Sequence, residues 1–249
     1  MSDAVLAAVE GGVATLTLNR PDNRNALSIE LMNALGDRLT EAMFDPRVRV
    51  IVLTNEGNTF CAGANLRGEP TEEESRFGLV EIFELMLDGP GPIVGRIAGH
   101  CMGGGVGLAA ACDISVARND VNFGFTEVRI GVAPAIISVV CLPKMRRADA
   151  LELFLSGERI PASRAAEAGL INHAVDDLDA GVKDVTDKLV LGGPNALSAA
   201  KELVYKVPSM DRRDAFKWAA KLSAELFRSE EAAAGMAAFR ERGTAPWVP

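Results

Sequence analysis

The stretch GHCMGGGVGLAAA, residues 99–111, places a glycine-rich turn at the centre of the chain. The apolar run 93–98 before it predicts a short strand, and the small residues 108–111 predict a helix directly after the turn. Residues 113–117 predict the next strand. The order strand, glycine turn, helix, strand is typical of an α/β protein with crossover connections.

A second turn of the same kind lies upstream. Residues 48–54 predict a buried strand, and the loop after it reads Phe60-Cys61-Ala62-Gly63-Ala64-Asn65-Leu66 before a helix predicted from about 71 to 87. Backbone N–H groups at such turns bind anions or stabilise a developing oxyanion. Two turns with small side chains predict two N–H donors that converge on one oxygen. A thioester carbonyl suits such a site, since its enolate needs both donors.

The two ends of the chain have different patterns. Residues 5–9 and 13–18 alternate around a Glu10-Gly11-Gly12 turn and predict a hairpin. The C-terminal part predicts three helices over about 195–206, 211–227 and 229–242. Helices with this much apolar surface need a partner surface, either the core or another subunit.

Composition excludes several function classes. The chain has 249 residues with 48% apolar and 24% charged content, which is close to the globular average and excludes disorder and fibrous repeats. A net charge of -8 argues against nucleic acid and anionic membrane as partners. The sequence shows no signal peptide and no apolar run long enough to span a bilayer. Four cysteines without a C-x-x-C pair and only two histidines argue for a cytoplasmic protein without a standard zinc site.

Six linked motifs run through nearly the whole chain in a fixed order. Together they resemble the crotonase, or enoyl-CoA hydratase/isomerase, superfamily. The motifs are Asn19-Arg20-Pro21 with Asn25-Ala26-Leu27, the loop 60–66, Gly99 to Gly105, Ala111-Cys112-Asp113-Ile114, Phe123-Gly124-x-x-Glu127 with Gly131, and Ala238-Phe239 with Arg242. The resemblance implies an α/β spiral of repeated β-β-α units over residues 1–190. A C-terminal helical trimerisation region, residues 191–249, would follow it.

The resemblance also implies roles for single residues. The N–H groups of Ala64 and Gly104 would hold the thioester oxygen, and Glu127 would be the catalytic acid/base. Glu127 should then lie in an apolar pocket with a raised pKa. The substrate and coenzyme A would be bound by Arg24, Ala26, Ala62, Ala64, Asn65, Leu66, Arg67 and Gly104. Arg24 and Arg67 are the candidates for contacts with the coenzyme A phosphates.

Two positions depart from the family pattern. Asn65 replaces the loop aspartate, which predicts altered loop hydrogen bonding. Gly107 replaces the first of the two glutamates that a two-carboxylate hydratase has in G-G-G-x-E, so one water-orienting carboxylate is missing. Residues 103–111 followed by 127–134 are similar to bacterial hydratases of the methylglutaconyl-CoA and related branched-acid type, which also lack the first glutamate, and this resemblance favours reversible hydration of a 2-enoyl-CoA. The alternative is a Δ3-Δ2 enoyl-CoA isomerase with Glu127 as its single proton shuttle. No metal and no separate cofactor are implied, and the expected assembly is a homotrimer or a dimer of trimers.

Other interpretations remain open at this point. Residues 105–110 fit G-x-G-x-x-A, with an acidic residue in the segment 118–120, and would suit an NAD-dependent dehydrogenase. His100 beside Cys101 suggests a nucleophile pair that lacks an orienting third group. The basic cluster Lys144, Arg146 and Arg147 could meet a phosphate. A family member that binds acyl-CoA without turnover is a further alternative.

Overall fold

The computed structural model describes residues 3–66 and 74–248. The strands in these ranges are β1 (Val5–Glu10), β2 (Val13–Leu18), β3 (Val50–Asn55), β4 (Thr59–Cys61), β5 (Ile93–Ile97), β6 (His100–Met102), β7 (Ile114–Arg118), β8 (Asn122–Gly124), β9 (Arg159–Pro161) and β10 (His173–Val175). The helices are α1 (Ile29–Phe44), α2 (Leu79–Asp88), α3 (Gly104–Ala111), α4 (Ala135–Cys141), α5 (Arg147–Ser156), α6 (Ala162–Glu167), α7 (Leu178–Leu189), α8 (Pro194–Lys206), α9 (Arg212–Phe227) and α10 (Glu230–Glu241).

Two sheets are built by one alternating path of the chain. The larger sheet has the order β1-β2-β3-β5-β7-β10, and the smaller has the order β4-β6-β8-β9. Each of the pairs β3/β4, β5/β6 and β7/β8 therefore sends its first strand to the larger sheet and its second to the smaller, and a helix follows each pair. Strands β2 to β10 of the larger sheet run parallel, as crossover connections require. The predicted spiral of β-β-α units is confirmed.

The first hairpin forms as its two glycines predict. Residues Val5 to Glu10 pair antiparallel with Val13 to Leu18. The two-residue turn needs positive φ at both positions, and Gly11 and Gly12 supply φ of 54° and 80°.

Strand β3 is buried along its whole length because helices cover both faces of the sheet. Ile51 and Leu53 belong to the main core, whereas Val50 and Val52 belong to a second cluster on the opposite face. Helix α7 covers that second cluster with Leu178, Val182 and Val185. From Pro134 onward the sequence pattern is mostly helical, but it gives no bounds for a separate helix at Leu178–Leu189.

Helix α3 lies at the centre of the main core. All seven residues from Gly105 to Ala111 are buried. The helix begins at Gly104, four residues before the predicted start at 108. Glycine is a poor helix former in solution, but here small residues let α3 approach its neighbours closely, so packing overrides propensity.

Two further boundaries differ from the prediction. The helix expected from about 71 begins at Leu79, and residues 71–73 lie outside the described ranges. The strand expected over 169–175 forms only at His173–Val175. Gly169 has a φ of 84°, and the Leu170 N–H donates to the Ala165 carbonyl oxygen, so the first part of this segment is a turn after α6.

The three C-terminal helices form as predicted, within about two residues at each end. Helices α9 and α10 have no buried residue in this chain, and the Phe239 side chain is 84% exposed. A domain boundary near residue 190 stays a prediction. None of the described helices combines the length and apolarity needed to cross a bilayer.

Candidate active site

The two glycine turns meet backbone to backbone. Gly63, just after β4, has a φ of 83°. A Cβ built on it would lie 2.8 Å from the Met102 carbonyl oxygen and 3.0 Å from the Gly104 nitrogen. Because real side chains essentially never approach backbone atoms this closely, only glycine brings the loop 60–66 against the turn before α3.

Asn25 anchors the chain segment that supports the first turn. Its side chain is fully buried, and its Nδ2 donates to the carbonyl oxygens of Thr59 at 2.8 Å and Glu56 at 3.1 Å. Its Oδ1 accepts from the Arg20 N–H at 2.7 Å. One side chain thus joins the loop after β2 to the start of β4. Within the motif Asn25-Ala26-Leu27, this polar residue is what fixes the loop.

Backbone hydrogen bonds extend this support to the loop itself. The Ala62 N–H donates to the Arg24 carbonyl oxygen at 3.1 Å, and the Leu27 N–H donates to the Gly63 carbonyl oxygen at 2.9 Å. The Gly63 N–H also donates to Cys61 Sγ at 3.4 Å. The peptide groups on the N-terminal side of Ala64 are therefore fixed before any ligand arrives.

The N–H groups of Ala64 and Gly104 have no hydrogen-bond partner in the part of the chain that the structure describes. Gly104 is the first residue of α3, where no helical carbonyl is in position to accept its N–H. Within residues 3–66 and 74–248, neither N–H donates a hydrogen bond to another group. Gly63 places the loop that carries the Ala64 N–H against the turn that carries the Gly104 N–H.

Glu127 lies in a 3₁₀ turn, Thr126–Ile130, directly after β8. Its Oε2 is buried and has no hydrogen-bond partner among the described residues. Burial raises the pKa of this carboxyl, and a hydrogen bond with its own backbone opposes the change only in part. A raised pKa is what the sequence analysis expects of a catalytic carboxylate at this position.

The Glu127 carboxylate also lies close to the second glycine turn. A Cβ built on Gly103 would lie 3.2 Å from Glu127 Oε1. Gly103 directly precedes Gly104, so the Glu127 carboxylate lies beside the turn that carries the Gly104 N–H. A buried carboxylate next to a backbone N–H at a helix start suits chemistry at the α-carbon of a bound carbonyl compound.

Position 107 offers no room for the missing glutamate. A Cβ there would lie 2.5 Å from Ile137 Cγ2 and 2.7 Å from Phe83 Cζ. Neither Phe83 nor Ile137 is identified from the sequence. No local signal could have identified them, because α2 and α4 meet α3 only in the folded chain.

The other predicted binding residues surround the first turn. Arg24 and Ala64 are exposed, Ala62 and Asn65 are half-buried, and Ala26 is buried. The Leu66 side chain is 75% exposed. Arg67 lies outside the described ranges. The described members of the predicted set are therefore at least partly exposed, except Ala26.

The remaining candidates of the sequence analysis have structural roles or unsuitable surroundings. Cys101 is fully buried, which raises the pKa of its thiol, and His100 Nδ1 accepts the Asn122 N–H at 3.0 Å. Lys144 Nζ donates to the Cys112 carbonyl oxygen at 2.6 Å. His173 is exposed at the end of the larger sheet.

The dinucleotide-binding interpretation is wrong. Residues 105–110 lie inside α3 and are buried, so their N–H groups cannot contact a pyrophosphate. Asp120 in the acidic segment forms an ion pair with Arg118. The described residues also contain no group of three or more His, Cys, Asp or Glu side chains that could hold a metal ion.

The spiral of β-β-α units and the two convergent glycine turns define a crotonase-fold protein. A family model described as enoyl-CoA hydratase/isomerase matches residues 8–248. The chain belongs to this enoyl-CoA hydratase/isomerase family and is an enzyme of that class.

Individual relatives align with this chain over nearly their full length. The chain is 30% identical to the Mycobacterium tuberculosis enoyl-CoA hydratase EchA19, and the match covers 93% of this chain and 91% of that protein. A solved enoyl-CoA hydratase structure from Mycobacterium smegmatis superposes with a TM-score of 0.88 at 30% identity, covering 98% of both chains. An enoyl-CoA hydratase structure from Mycobacterium avium is 40% identical, with a TM-score of 0.76, and the match covers 99% of this chain and 100% of that chain.

Proposed function

We propose that the enzyme adds water reversibly across the double bond of a 2-enoyl-CoA thioester. The observation that carries this proposal is the buried Oε2 of Glu127, which has no hydrogen-bond partner among residues 3–66 and 74–248 and lies beside the turn that carries the Gly104 N–H. The hydratase names of the full-length relatives support the choice of reaction.

The N–H groups of Ala64 and Gly104 hold the thioester oxygen in this proposal. As water adds to C3, a C–O bond forms and the π electrons of the C2–C3 double bond move toward the thioester oxygen. The resulting enolate carries its charge on that oxygen, so both donors bind the transition state more strongly than the substrate. Removal of one such donor costs about 10²–10³-fold in kcat in a characterised case.

Glu127 completes the proton transfers. The carboxylate accepts a proton from water as the C–O bond forms and then donates a proton to C2, where the enolate electrons form the new C–H bond. The net change is one water molecule added and an unchanged enzyme. A raised pKa suits both roles, because it brings the pH at which the group gains and loses its proton closer to neutrality.

A second reaction is supported by a specific observation. Gly107 leaves the site without the second family carboxylate, and moving a double bond from C3 to C2 needs only one proton shuttle. Glu127 would remove a proton from C2 of a 3-enoyl-CoA and return one to C4. Δ3-Δ2 isomerisation is therefore the alternative, on the same residues.

The coenzyme A portion is assigned to the surface around the first turn. Arg24 is exposed there, and its backbone oxygen supports Ala62. We assign the coenzyme A phosphates to Arg24 and Arg67, and the remainder of the coenzyme to Ala26, Ala62, Asn65 and Leu66. The reaction as written needs neither a metal nor a separate cofactor.

The C-terminal region is assigned to subunit contacts. Helices α9 and α10 expose Phe216, Phe227 and Phe239, and an apolar surface of this kind is typical of an interface. We propose a homotrimer, alone or as a dimer of trimers, in the cytoplasm.

Product analysis by mass spectrometry tests the reaction. The enzyme and its Glu127→Gln variant are incubated separately with crotonyl-CoA and with a 3-enoyl-CoA. A water adduct of crotonyl-CoA that the variant does not form supports hydration, whereas double-bond migration without water addition supports the isomerase. Binding of both thioesters without turnover would indicate an acyl-CoA binder and contradict both reactions.

A further inference from the structure

Position 107 is closed by side chains from two different helices. Phe83 in α2 is 4% exposed and Ile137 in α4 is 3% exposed. Besides the contacts with Ile137 Cγ2 and Phe83 Cζ, a Cβ at Gly107 would lie 3.0 Å from Ile137 Cβ. Neither neighbour can move away freely, because both belong to the packed main core.

Gly107 lies on the same face of α3 as the proposed site. Gly107 follows Gly103 by four residues and Gly104 by three, so the three positions lie on one side of the helix. A Cβ at Gly103 would meet Glu127, and one at Gly104 would lie 3.7 Å from Leu79 Cδ2. Leu79 and Phe83 lie on successive turns of α2. Helix α2 therefore lies along this face of α3 from the Gly104 N–H to Gly107.

We propose that Phe83 and Ile137 are specificity-determining residues that exclude a carboxylate at position 107 from this site. They fill the space that a carboxylate from position 107 needs, and they present only apolar groups there. The packing of α2, α3 and α4 therefore keeps a glutamate out of position 107, and a substitution at that position alone would not restore the carboxylate. This inference rests on the proposed function.

The consequence for the reaction is that Glu127 carries the proton steps without a carboxylate from position 107. In hydration, no carboxylate from that position holds the water while its oxygen bonds to C3. Double-bond migration involves no water, so the absence of this carboxylate does not slow it. The packing of Phe83 and Ile137 therefore shifts the balance between the two reactions toward migration, relative to a site with two carboxylates.

A stability measurement tests the packing first. Gly107→Ala is expected to lower Tm by roughly 5 °C, since overpacking a core is destabilising in a domain of this size. In an Ile137→Ala background the same change should cost clearly less, because Cγ2 is gone. Gly181→Ala in α7 is the matched control, since its Cβ meets nothing nearer than 3.1 Å and it should cost the same in both backgrounds.

The functional test introduces a carboxylate at position 107. Gly107→Glu in the Ile137→Ala background should raise the ratio of crotonyl-CoA hydration to 3-enoyl-CoA migration at least about tenfold over Gly107→Gln in the same background. Gly107→Glu alone should lower Tm more than Gly107→Ala and gain no hydration.

The outcomes separate this inference from the proposed function. Two results would overturn the role of Phe83 and Ile137 while Glu127-dependent turnover persists. One is that the Tm changes of Gly107→Ala and Ile137→Ala are strictly additive. The other is that Gly107→Glu alone folds normally and gains hydration. Absence of Glu127-dependent turnover of either thioester in the parent enzyme would instead overturn the proposed function.

Discussion

The carboxylate of Glu127 lies against the α-carbon of Gly103. A Cβ built on Gly103 would lie 3.2 Å from Oε1 and 3.4 Å from Cδ of the glutamate. Gly103 has φ of 53° and ψ of -122°, a conformation essentially restricted to glycine. This conformation also orients the start of α3, so a single glycine controls both the approach of the carboxylate and the direction of the Gly104 N–H.

Gly103→Ala should therefore damage stability and activity together. We expect a loss of about 1–3 kcal/mol in the free energy of unfolding from backbone strain. We also expect a large fall in kcat, because the new methyl group displaces the carboxylate. Gly11→Ala is the matched control, since Gly11 has φ of 54° and nothing within 4 Å of its Cβ position. It should lose stability only. Equal kcat for the two variants would contradict the role of the Gly103 contact.

Glu127→Gln should lower kcat by about 10²–10⁴-fold, which is the usual contribution of one general acid–base group. KM should change little, because the amide keeps the shape of the side chain. Steady-state kinetics with crotonyl-CoA and a 3-enoyl-CoA measure both quantities, and Glu158→Gln at an exposed position is the control. A fall of less than about threefold with both substrates would show that another group moves the proton.

The pKa of Glu127 predicts an unusual dependence of stability on pH. Because burial raises the pKa in the folded state, the folded protein binds more protons than the unfolded chain at pH values between the unfolded and folded pKa. Stability contributed by this group is therefore lost as pH rises through that window. Thermal unfolding should show Glu127→Gln more stable than the parent at pH 8, with the difference shrinking toward pH 4. A difference that grows toward acid would mean that the pKa is lowered.

The same raised pKa predicts the acid limb of the pH–rate profile. Hydration needs Glu127 ionised at the start, so kcat/KM should fall on the acid side at a pH above the ordinary glutamate value of 4.5. The measurement is kcat/KM against pH for crotonyl-CoA hydration. An acid limb at or below the ordinary value would contradict burial as the controlling influence on this carboxyl.

The sequence predicted those parts of the fold that depend on local pattern. The Gly11-Gly12 hairpin and the three C-terminal helices form within about two residues of their predicted limits, because turn chemistry and helical periodicity are local. Strands β4, β6 and β9 have three residues each, and only pairing with distant segments defines them. The bounds of helix α7 were not predicted, since its apolar face is recognisable only against the second cluster that it covers.

In the candidate site, too, some residues follow from local motifs and others depend on contacts between distant segments. Ala64, Gly104 and Glu127 follow from motifs, and the structure brings their three turns together. The reason that Gly107 cannot simply be a glutamate is invisible in its own motif, because Phe83 and Ile137 lie 24 and 30 residues away along the chain. The anchoring role of Asn25 depends likewise on carbonyl groups of Glu56 and Thr59.

Asn25→Ala should weaken the first glycine turn. The change removes the amide that bonds the Glu56 and Thr59 carbonyl oxygens and the Arg20 N–H, and a buried group that loses its partner, such as the Thr59 carbonyl, costs about 1–3 kcal/mol. Urea unfolding should show a loss of at least about 2 kcal/mol, together with a higher KM. Asn23→Ala, at an exposed position in the same loop, should change neither quantity. An unchanged KM for Asn25→Ala would separate this anchor from the binding surface.

Lys201→Met should detach α8 from the core. The Lys201 ammonium lies 2.9 Å from Asp113 Oδ2 and donates to the Met86 carbonyl oxygen at 2.6 Å, and its side chain is only 7% exposed. Removing one partner of a buried ion pair leaves an uncompensated charge and costs about 3–5 kcal/mol. Lys188→Met removes the exposed pair with Asp184 and should cost less than about 1 kcal/mol. Urea unfolding of the two variants measures the difference. Similar small losses for both would mean that the Asp113 pair does not hold α8, and that the C-terminal helices depend on contacts elsewhere.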